Sequence, residues 1–381
     1  MGIQLFTPTF EIEECLAQVR DCLEKGWTGL GYKTVEFEQK WSEYTGLEHC
    51  HYVNSATAGL YLVFDILKQE LWQEEAEVEI ITTPITFVST NHAILKAGLK
   101  PVFADVDDTL CLDPKSVEAH ITEKTRGVCF VGIGGNTGHY KDIVKICKKH
   151  KLKLILDAAH MAGTRYTNGE MPGKEADAVV YSFQAVKNLP TADSGMVCFK
   201  EKTFDEIARK KTWLGINKDT YLRTNSEGAY KWRYNVEYCG DKYHGNSIMA
   251  GIAIAQLKYL DRDNAYRRQI AGWYRSGFKA YTDKIKLVTI PEECESSCHL
   301  FQIIVDHRDE LMLALNQQEI YPGVHYVDNT EYPMYSYADG TCPNARYISE
   351  HVVSLPMHLR LTYEDVQTII RAVINFVETE L

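Results

Sequence analysis

The chain has 381 residues, of which 45% are hydrophobic and 24% are charged, and its formal net charge is −11. This composition is typical of a globular protein with a sizeable core, and it excludes a largely disordered or low-complexity chain. The negative net charge disfavours nucleic acid and anionic membrane surfaces, so we expect neither as a partner.

The N-terminal residues predict helices and no targeting segment. No basic stretch precedes an apolar core and no run of eighteen apolar residues occurs, which favours a cytoplasmic protein. Helical spacing in EIEECLAQVRDCLEKGW predicts an amphipathic helix that ends at Gly26. Its apolar positions are Ile12, Cys15, Leu16, Val19 and Leu23. A second helix is predicted in TVEFEQKWSEYTG.

Short apolar runs alternate with helical patterns from there to about Phe199, which predicts an α/β fold with a mostly parallel sheet flanked by helices. A helical connection of about thirty residues follows, in NSIMAGIAIAQLKYLDRDNAYRRQIAGWYRSGFKAY. The strands and helices after it predict a smaller α+β domain. We therefore expect a large domain over residues 1–250, and a linking helix with a small C-terminal domain over 251–381.

The eleven cysteines are scattered and odd in number, which argues against a disulfide framework. Two clusters invite a metal interpretation, EHCHY around Cys50 and CESSCH ending at His299. Neither has the paired spacing of a zinc site, so we expect no metal.

Two predicted strand ends could meet a ligand, because ligands of open parallel sheets bind beyond the carboxyl ends of the strands. In NSATAGL, free amides at a helix start and the hydroxyls of Ser55 and Thr57 could bind phosphate, although an ordinary N-cap explains the motif equally well. In TTPITFVST, Phe87 could stack on an aromatic ligand, although such a residue more often belongs to the core.

A third strand, LKLILDAAH, ends in Asp157. A carboxylate at a buried strand end needs a partner, which could be a protonated pyridine nitrogen or a helix N-terminus that it caps. The nearby glycines of VGIGGNTGHY lack the G-x-G-x-x-G spacing of a dinucleotide loop and indicate a tight turn on the active-site side.

The fourth strand end, in YSFQAVKNLPTADSGMVCF, carries Lys187 between two buried strands. Burial lowers the pKa of a lysine and makes the neutral amine available for a Schiff base. Ser182 could add a hydroxyl to a phosphate site. A phosphate turn, an aromatic ring, an aspartate and a lysine are together what pyridoxal phosphate requires.

These motifs resemble those of the DegT/StrS-type sugar aminotransferases, which have the fold-type-I architecture and use pyridoxal phosphate to aminate keto groups of nucleotide-linked sugars. The resemblance runs nearly end to end, from GWTGLGYKTVEFEQKWSEYTG through NSATAGL, LILDAAHMAGT and YSFQAVKNL to GVHY. It implies that Lys187 carries the cofactor as a Schiff base and that Asp157 bonds its ring nitrogen. The implied phosphate ligands are Ser182 and the amides of Ala56 and Thr57.

The remaining implied contacts concern the cofactor ring and the substrate. Phe87 is expected to stack on the ring, and His160 to lie near its phenolic oxygen. His325 and Tyr32 are expected on the substrate side. Many relatives are homodimers with a GxNxR segment that reaches the partner's phosphate; here Lys242 takes the place of the asparagine.

Other departures from the family pattern lie at His244, which replaces the arginine of that segment, and at Asp193 and Ser194 in PTADSGMV, where we expect an altered substrate side.

The resemblance implies a ping-pong reaction, in which L-glutamate gives its amino group to the cofactor, and pyridoxamine phosphate passes it to a nucleotide-linked keto sugar. Amination of a cyclitol ketone and a non-catalytic regulatory role on the same fold are the alternatives. Lys187 argues against the dehydratase branch, which carries histidine at that position. The glycine spacing disfavours a nicotinamide dehydrogenase.

Overall fold

The computed structural model describes residues 2–217 and 234–379. The first eight described strands are β1 (Cys50–Val53), β2 (Glu79–Thr82), β3 (Lys100–Phe103), β4 (Thr125–Val131), β5 (Lys153–Asp157), β6 (Arg165–Tyr166), β7 (Ala178–Ser182) and β8 (Gly195–Phe199). Seven of them, all but β6, form the main sheet in the order β1-β8-β7-β5-β4-β2-β3. The pairs from β3 to β7 are parallel, and β8 is antiparallel to both β7 and β1.

The strands of this sheet are buried on both faces, as continuous runs of Val, Ile and Leu predict. In β5, Leu154 and Leu156 pack in one hydrophobic cluster, whereas Ile155 packs in the cluster on the other face. This alternation follows from the two-residue repeat of a strand. Helices cover both faces, and those that begin in the first 217 residues are α1 (Ile12–Glu24), α2 (Tyr32–Thr45), α3 (Ala56–Leu71), α4 (Ser89–Lys96), α5 (Pro114–Ala119), α6 (Tyr140–His150) and α7 (Lys202–Lys211).

The later strands are β9 (Lys286–Leu287), β10 (Cys294–Glu295), β11 (Phe301–Ile304) and β12 (Val352–Leu355). A three-stranded antiparallel sheet in the order β12-β11-β9 forms the centre of the C-terminal part. The later helices are α8 (Ser247–Leu257), α9 (Leu260–Phe278), α10 (Arg308–Gln317), α11 (Pro343–His351) and α12 (Tyr363–Thr379). A third hydrophobic cluster joins β11 and β12 to α9, α10 and α12. The α/β fold predicted from the sequence is therefore confirmed, whereas the division after residue 250 stays a prediction.

The prediction of one linking helix of about thirty residues was wrong in one respect, because the structure has two helices there, α8 and α9. The amide of Tyr259 bonds to the carbonyl of Gln256 at 3.0 Å, which tightens the last turn of α8. The side chain of the same Gln256 donates to the carbonyl of Thr9 and accepts from the amide of Glu11. These bonds hold α8 against the N-terminal segment, while α9 turns toward the small sheet.

Helix α1 was predicted correctly, yet most of its apolar stripe faces outward. Cys15 is buried, whereas Ile12, Leu16 and Leu23 are 63%, 56% and 61% exposed in the single chain. Val35 of α2 is also exposed. The stripe is therefore available for contact with another surface.

Within the described ranges, no helix is long and apolar enough to cross a membrane. The same part of the chain contains no cluster of three or more His, Cys, Asp or Glu side chains that could hold a metal ion.

Candidate active site

A cavity of about 440 Å³ opens at the carboxyl edge of the main sheet. Asp157 and Ser182 line it, and they are the last residues of β5 and β7. Since parallel strands end at the same edge, the fold brings together residues that are far apart in the chain. The cavity is also lined by the start of α3 and by Phe87, His160, Lys187 and His325.

Asp157 is a buried carboxyl group held by two hydrogen bonds. It is 3% exposed, and its two oxygens accept from the Thr90 hydroxyl at 2.8 Å and from the Ala159 amide at 3.1 Å. Burial raises its pKa above the ordinary value, although these two bonds and the charge of Lys187 oppose the shift. Among the residues that the structure describes, no cation lies within ion-pair distance of it. A protonated ring nitrogen placed in the cavity would supply that missing partner.

The start of α3 presents free amides to the same cavity. The Ser55 hydroxyl caps the helix by accepting from the amide of Ala58 at 3.1 Å. The amides of Ala56 and Thr57 lie in the first turn, where a helix offers no internal acceptor. Gly195 lets β8 pass close behind this turn, because a Cβ there would lie 2.7 Å from the Ala56 nitrogen. The amides and the helix dipole fit a phosphate group.

Lys187 lies on the loop after β7, close to both of these features. The backbone turns here through a bond from the Lys187 amide to the Gln184 carbonyl at 2.8 Å. Burial lowers the pKa of the Lys187 amine to about 8, against the opposing charge of Asp157. This shift increases the fraction of neutral amine, which is the form able to act as a nucleophile.

His160 is held as a neutral imidazole by its two hydrogen bonds. Its Nδ1 accepts from the amide of Gly134 at 3.1 Å, so the proton of the neutral ring resides on Nε2. That Nε2 donates to the Tyr326 hydroxyl at 3.2 Å. Burial lowers the pKa of His160 well below its ordinary value, and the charges of Lys187 and His325 add to the shift. The glycine turn of VGIGGNTGHY thus fixes the tautomer of a cavity residue.

His325 and Phe87 also line the cavity. His325 Nδ1 lies 2.9 Å from the Ser354 hydroxyl, and burial together with the charge of Lys187 lowers its pKa to about 4. Phe87 is 58% exposed, with its ring centre 6.0 Å from that of Tyr326. An exposed ring beside the cavity is placed to stack on a bound ligand.

Two residues predicted for the site do not line the cavity of the single chain. The Tyr32 hydroxyl donates to Asp21 at 2.7 Å, at the start of α2. Lys242 holds its ammonium over the Trp213 ring, 5.3 Å from the ring centre, and its carbonyl accepts from Asn54 at 3.3 Å. The roles of Tyr32 and Lys242 stay predictions.

The structure adds residues to the cavity that the sequence did not indicate. They are Phe6, Thr90, Gln184, His299 and Tyr326. Three of them had a local signal, since His299 ends the candidate metal cluster CESSCH, Gln184 stands in YSFQAVKNL, and Tyr326 follows His325 in GVHY. Phe6 and Thr90 had none, because only the fold brings them to Lys187 and Asp157.

The cavity therefore offers what pyridoxal phosphate needs, and the comparisons with known proteins agree with this. Residues 10–374 match the DegT/DnrJ/EryC1/StrS aminotransferase family. The chain is 32% identical over 378 residues to the spore coat polysaccharide biosynthesis protein SpsC of Bacillus subtilis, which covers 96% of this chain and 95% of that protein.

Solved structures share the fold over the whole chain. PseC of Helicobacter pylori, an aminotransferase involved in the biosynthesis of pseudoaminic acid, matches with a TM-score of 0.90 at 26% identity over 100% of both chains. Spr1654 of Streptococcus pneumoniae, solved in PLP and PMP forms, matches in its PMP form with a TM-score of 0.89 at 28% identity over 99% of both chains. The chain thus belongs to the DegT/DnrJ/EryC1/StrS aminotransferase family and is a pyridoxal phosphate-dependent sugar aminotransferase.

Proposed function

We propose that this enzyme moves the amino group of L-glutamate to a keto group of a nucleotide-linked sugar. The observation that supports an amino transfer best is the pair formed by Lys187, whose amine has a lowered pKa, and the buried carboxyl group of Asp157 in one cavity. The glutamate donor and the nucleotide rest on the resemblance of the sequence motifs. We also propose that the enzyme acts in the cytoplasm.

Different cavity residues would bind different groups of the cofactor. Asp157 would hold the ring nitrogen, and Ser182 with the amides of Ala56 and Thr57 would hold the phosphate. When bound, pyridoxal phosphate supplies a carbonyl carbon that accepts the amino group, a ring that withdraws electrons, and an amine form that returns the group. The negative charge of Asp157 favours the protonated ring nitrogen, which is the form that withdraws electrons best.

Lys187 has two tasks in this proposal. Its amine holds the cofactor covalently before the amino donor enters. Once the donor has displaced it, the freed amine stays in the cavity and carries a proton to and from the reacting carbon. A pKa of about 8 suits this task, because the amine can both take up and release a proton near neutral pH.

Phe87 would stack on the cofactor ring, and the substrate side is formed by His325 and Asp193, which line the same cavity. A largely neutral His325 can exchange hydrogen bonds with sugar hydroxyl groups. The Asp193 carboxylate can accept hydrogen bonds from the same kind of group. We propose that these residues select the sugar, and that Tyr32 and Lys242 act from the partner subunit of a homodimer.

The exposed apolar stripe of α1 supports the dimer, since Ile12, Leu16 and Leu23 expose most of their surface in the single chain. Light scattering of the purified protein should give a dimer mass, and Leu16→Lys should shift it toward the monomer. Glu13→Lys, a charge change on the same helix outside the stripe, should leave the mass unchanged. A monomeric wild-type enzyme with full activity would contradict the shared site.

The donor and acceptor are tested by spectroscopy and product analysis. The purified enzyme should show visible absorbance from the bound cofactor, which L-glutamate should abolish and a nucleotide-linked keto sugar should restore. Mass spectrometry of the sugar should show replacement of the keto oxygen by an amino group. Restoration by free keto sugars or cyclitol ketones and not by nucleotide-linked sugars would contradict the proposed acceptor.

A further inference from the structure

A chain of amide side chains lies behind Lys187, outside the cofactor contacts described above. Asn264 donates to the carbonyl of Ala162 at 2.9 Å. Asn188 donates to the Asn264 side-chain oxygen at 2.7 Å and to the carbonyl of Ser297 at 2.8 Å. Backbone carbonyls can only accept, so both amides have one possible orientation. The Asn188 side-chain oxygen is therefore directed away from these two acceptors.

This oxygen fixes the tautomer of His299. The Nδ1 of His299 lies 3.0 Å from the Asn188 oxygen and must carry a proton to bond it. Burial lowers the pKa of His299 well below its ordinary value, and the neighbouring His160 and Lys187 add to the shift. The ring is therefore neutral, and its Nε2 has a free lone pair, 3.5 Å from the Lys187 amine.

The His299 ring has little freedom to move. It is 2% exposed, and the Phe6 ring stacks on it with centres 5.4 Å apart and an angle of 7° between the planes. The His160 ring packs against it at a tilt of 43°, with the ring centres 4.3 Å apart. A neutral, rigid acceptor thus faces the lysine at a fixed place in the cavity.

We propose that His299 is a positioning residue for Lys187, whose amine donates one hydrogen to Nε2 whenever it is not joined to the cofactor. This inference rests on the proposed role of Lys187. When the neutral Lys187 amine donates a hydrogen to His299, its nitrogen lone pair still points into the cavity. It can there take up the proton that leaves the reacting carbon. The same acceptor stabilises the ammonium form, and so opposes the lowering of the Lys187 pKa by burial.

Two substitutions of His299 separate this role from a structural one. In His299→Gln, the side-chain oxygen can take the place of Nε2 and accept from Lys187, whereas the bond to Asn188 is lost. In His299→Asn, the amide can take the place of Nδ1 and donate to Asn188, whereas nothing reaches Lys187. A purely structural role predicts that Asn preserves the wild-type behaviour and that Gln does not.

The first readout is the pKa of Lys187 in the protein stripped of cofactor. It is measured from the pH dependence of acetylation by acetic anhydride, with the Lys187 peptide quantified by mass spectrometry. We expect a wild-type midpoint near pH 8, the same midpoint within a few tenths for His299→Gln, and a fall of about one pH unit for His299→Asn. His51→Gln is the matched control, because His51 is an equally buried histidine, bonded to Glu38 and Thr212 outside the cavity. It should leave the midpoint unchanged.

The second readout is the half-reaction of the holoenzyme with the amino donor, followed by absorbance. His299→Asn should lower the maximal rate about tenfold at unchanged donor affinity, and His299→Gln should retain most of the rate. Equal midpoints and rates in all folded variants would overturn the inference, as would a loss in Gln with retention in Asn.

A second variant keeps the test decisive if His299→Asn does not fold. Asn188→Leu removes the oxygen that fixes the tautomer of His299. It should therefore shift the pH midpoint of Lys187 acetylation when His299 is present, and should not shift it when combined with His299→Gln. A shift of equal size in both backgrounds would overturn the inference. Borohydride reduction of the holoenzyme tests the proposed function separately, because it shows by peptide mass which lysine holds the cofactor.

Discussion

The cavity has two sides that are built in different ways. On the sheet side, Asp157 and Ser182 are the last residues of strands β5 and β7, so the register of the main sheet sets their positions. On the opposite side, His299, His325 and Tyr326 come from loops more than a hundred residues later in the chain. The sheet side offers a charge and a phosphate cradle, whereas the opposite side offers neutral hydrogen-bonding rings. We infer that the sheet side binds the cofactor and that the opposite side governs Lys187 and the substrate.

Lys187 joins the two sides, and Lys187→Ala should give the largest effect. The variant loses both the covalent attachment and the proton carrier, so turnover should fall by at least about a thousandfold. Amino transfer is measured with saturating cofactor, and cofactor that stays bound noncovalently is measured by absorbance after gel filtration. Turnover at the wild-type rate would refute the role of this residue.

Asp157→Asn should be the largest change confined to the sheet side. An amide cannot balance a protonated ring nitrogen, so we expect cofactor affinity and turnover each to fall about 100-fold. Cofactor titration of the stripped protein and steady-state kinetics measure the two quantities.

Asp205→Asn is the matched control for that change. Asp205 is similarly buried but pairs with Arg209 at 2.9 Å, outside the cavity. Its substitution should lower the free energy of unfolding and leave cofactor affinity unchanged. Equal losses of affinity in the two variants would mean that Asp157 acts through folding alone.

Thr90→Val tests how the sheet side orients its carboxyl group. Loss of the 2.8 Å bond from the Thr90 hydroxyl removes a donor to the charged form of Asp157 and so raises its pKa further. We expect cofactor affinity to fall about tenfold, with a greater loss at acid pH, where more of the carboxyl group is protonated. Cofactor titrations at several pH values measure this. Thr90→Ser, which keeps the hydroxyl, should restore affinity, and a serine variant as weak as valine would contradict the role of the bond.

The same difference between the two sides explains what the sequence could predict. The positions of Asp157, Ser182 and Lys187 in the cavity could be predicted because each lies at or just after the end of a recognisable buried strand, and ligands of such sheets bind at the strand ends. His299 stands in CESSCH, a segment with no strand-end signal of its own. Its contact with Lys187 depends on how the C-terminal part packs on the main sheet, which local spacing does not encode.

Local sequence patterns predicted where helices form better than they predicted what those helices contact. The spacing in α1 identified a helix, but a periodic apolar stripe does not tell whether it faces the protein's own core or another chain. The break between α8 and α9 was missed because it depends on bonds from Gln256 to a segment about 245 residues away. The break shows tertiary contacts overriding a local pattern, whereas α1 shows that a pattern can predict a helix without specifying the surface that covers it.

Tyr326→Phe should give the smallest effect, and it tests whether the two sides are separable. The variant removes the hydroxyl that accepts from His160 at 3.2 Å, and one neutral hydrogen bond contributes about 1 kcal/mol. We expect the maximal rate of amino transfer to fall about fivefold while cofactor affinity stays at the wild-type value, because Tyr326 lies on the side opposite Asp157. Stopped-flow half-reactions measure the rate, and cofactor titration measures the affinity. If Tyr326→Phe weakened the cofactor as much as Thr90→Val, the two sides would act as one unit, and the assignment of separate roles would be wrong.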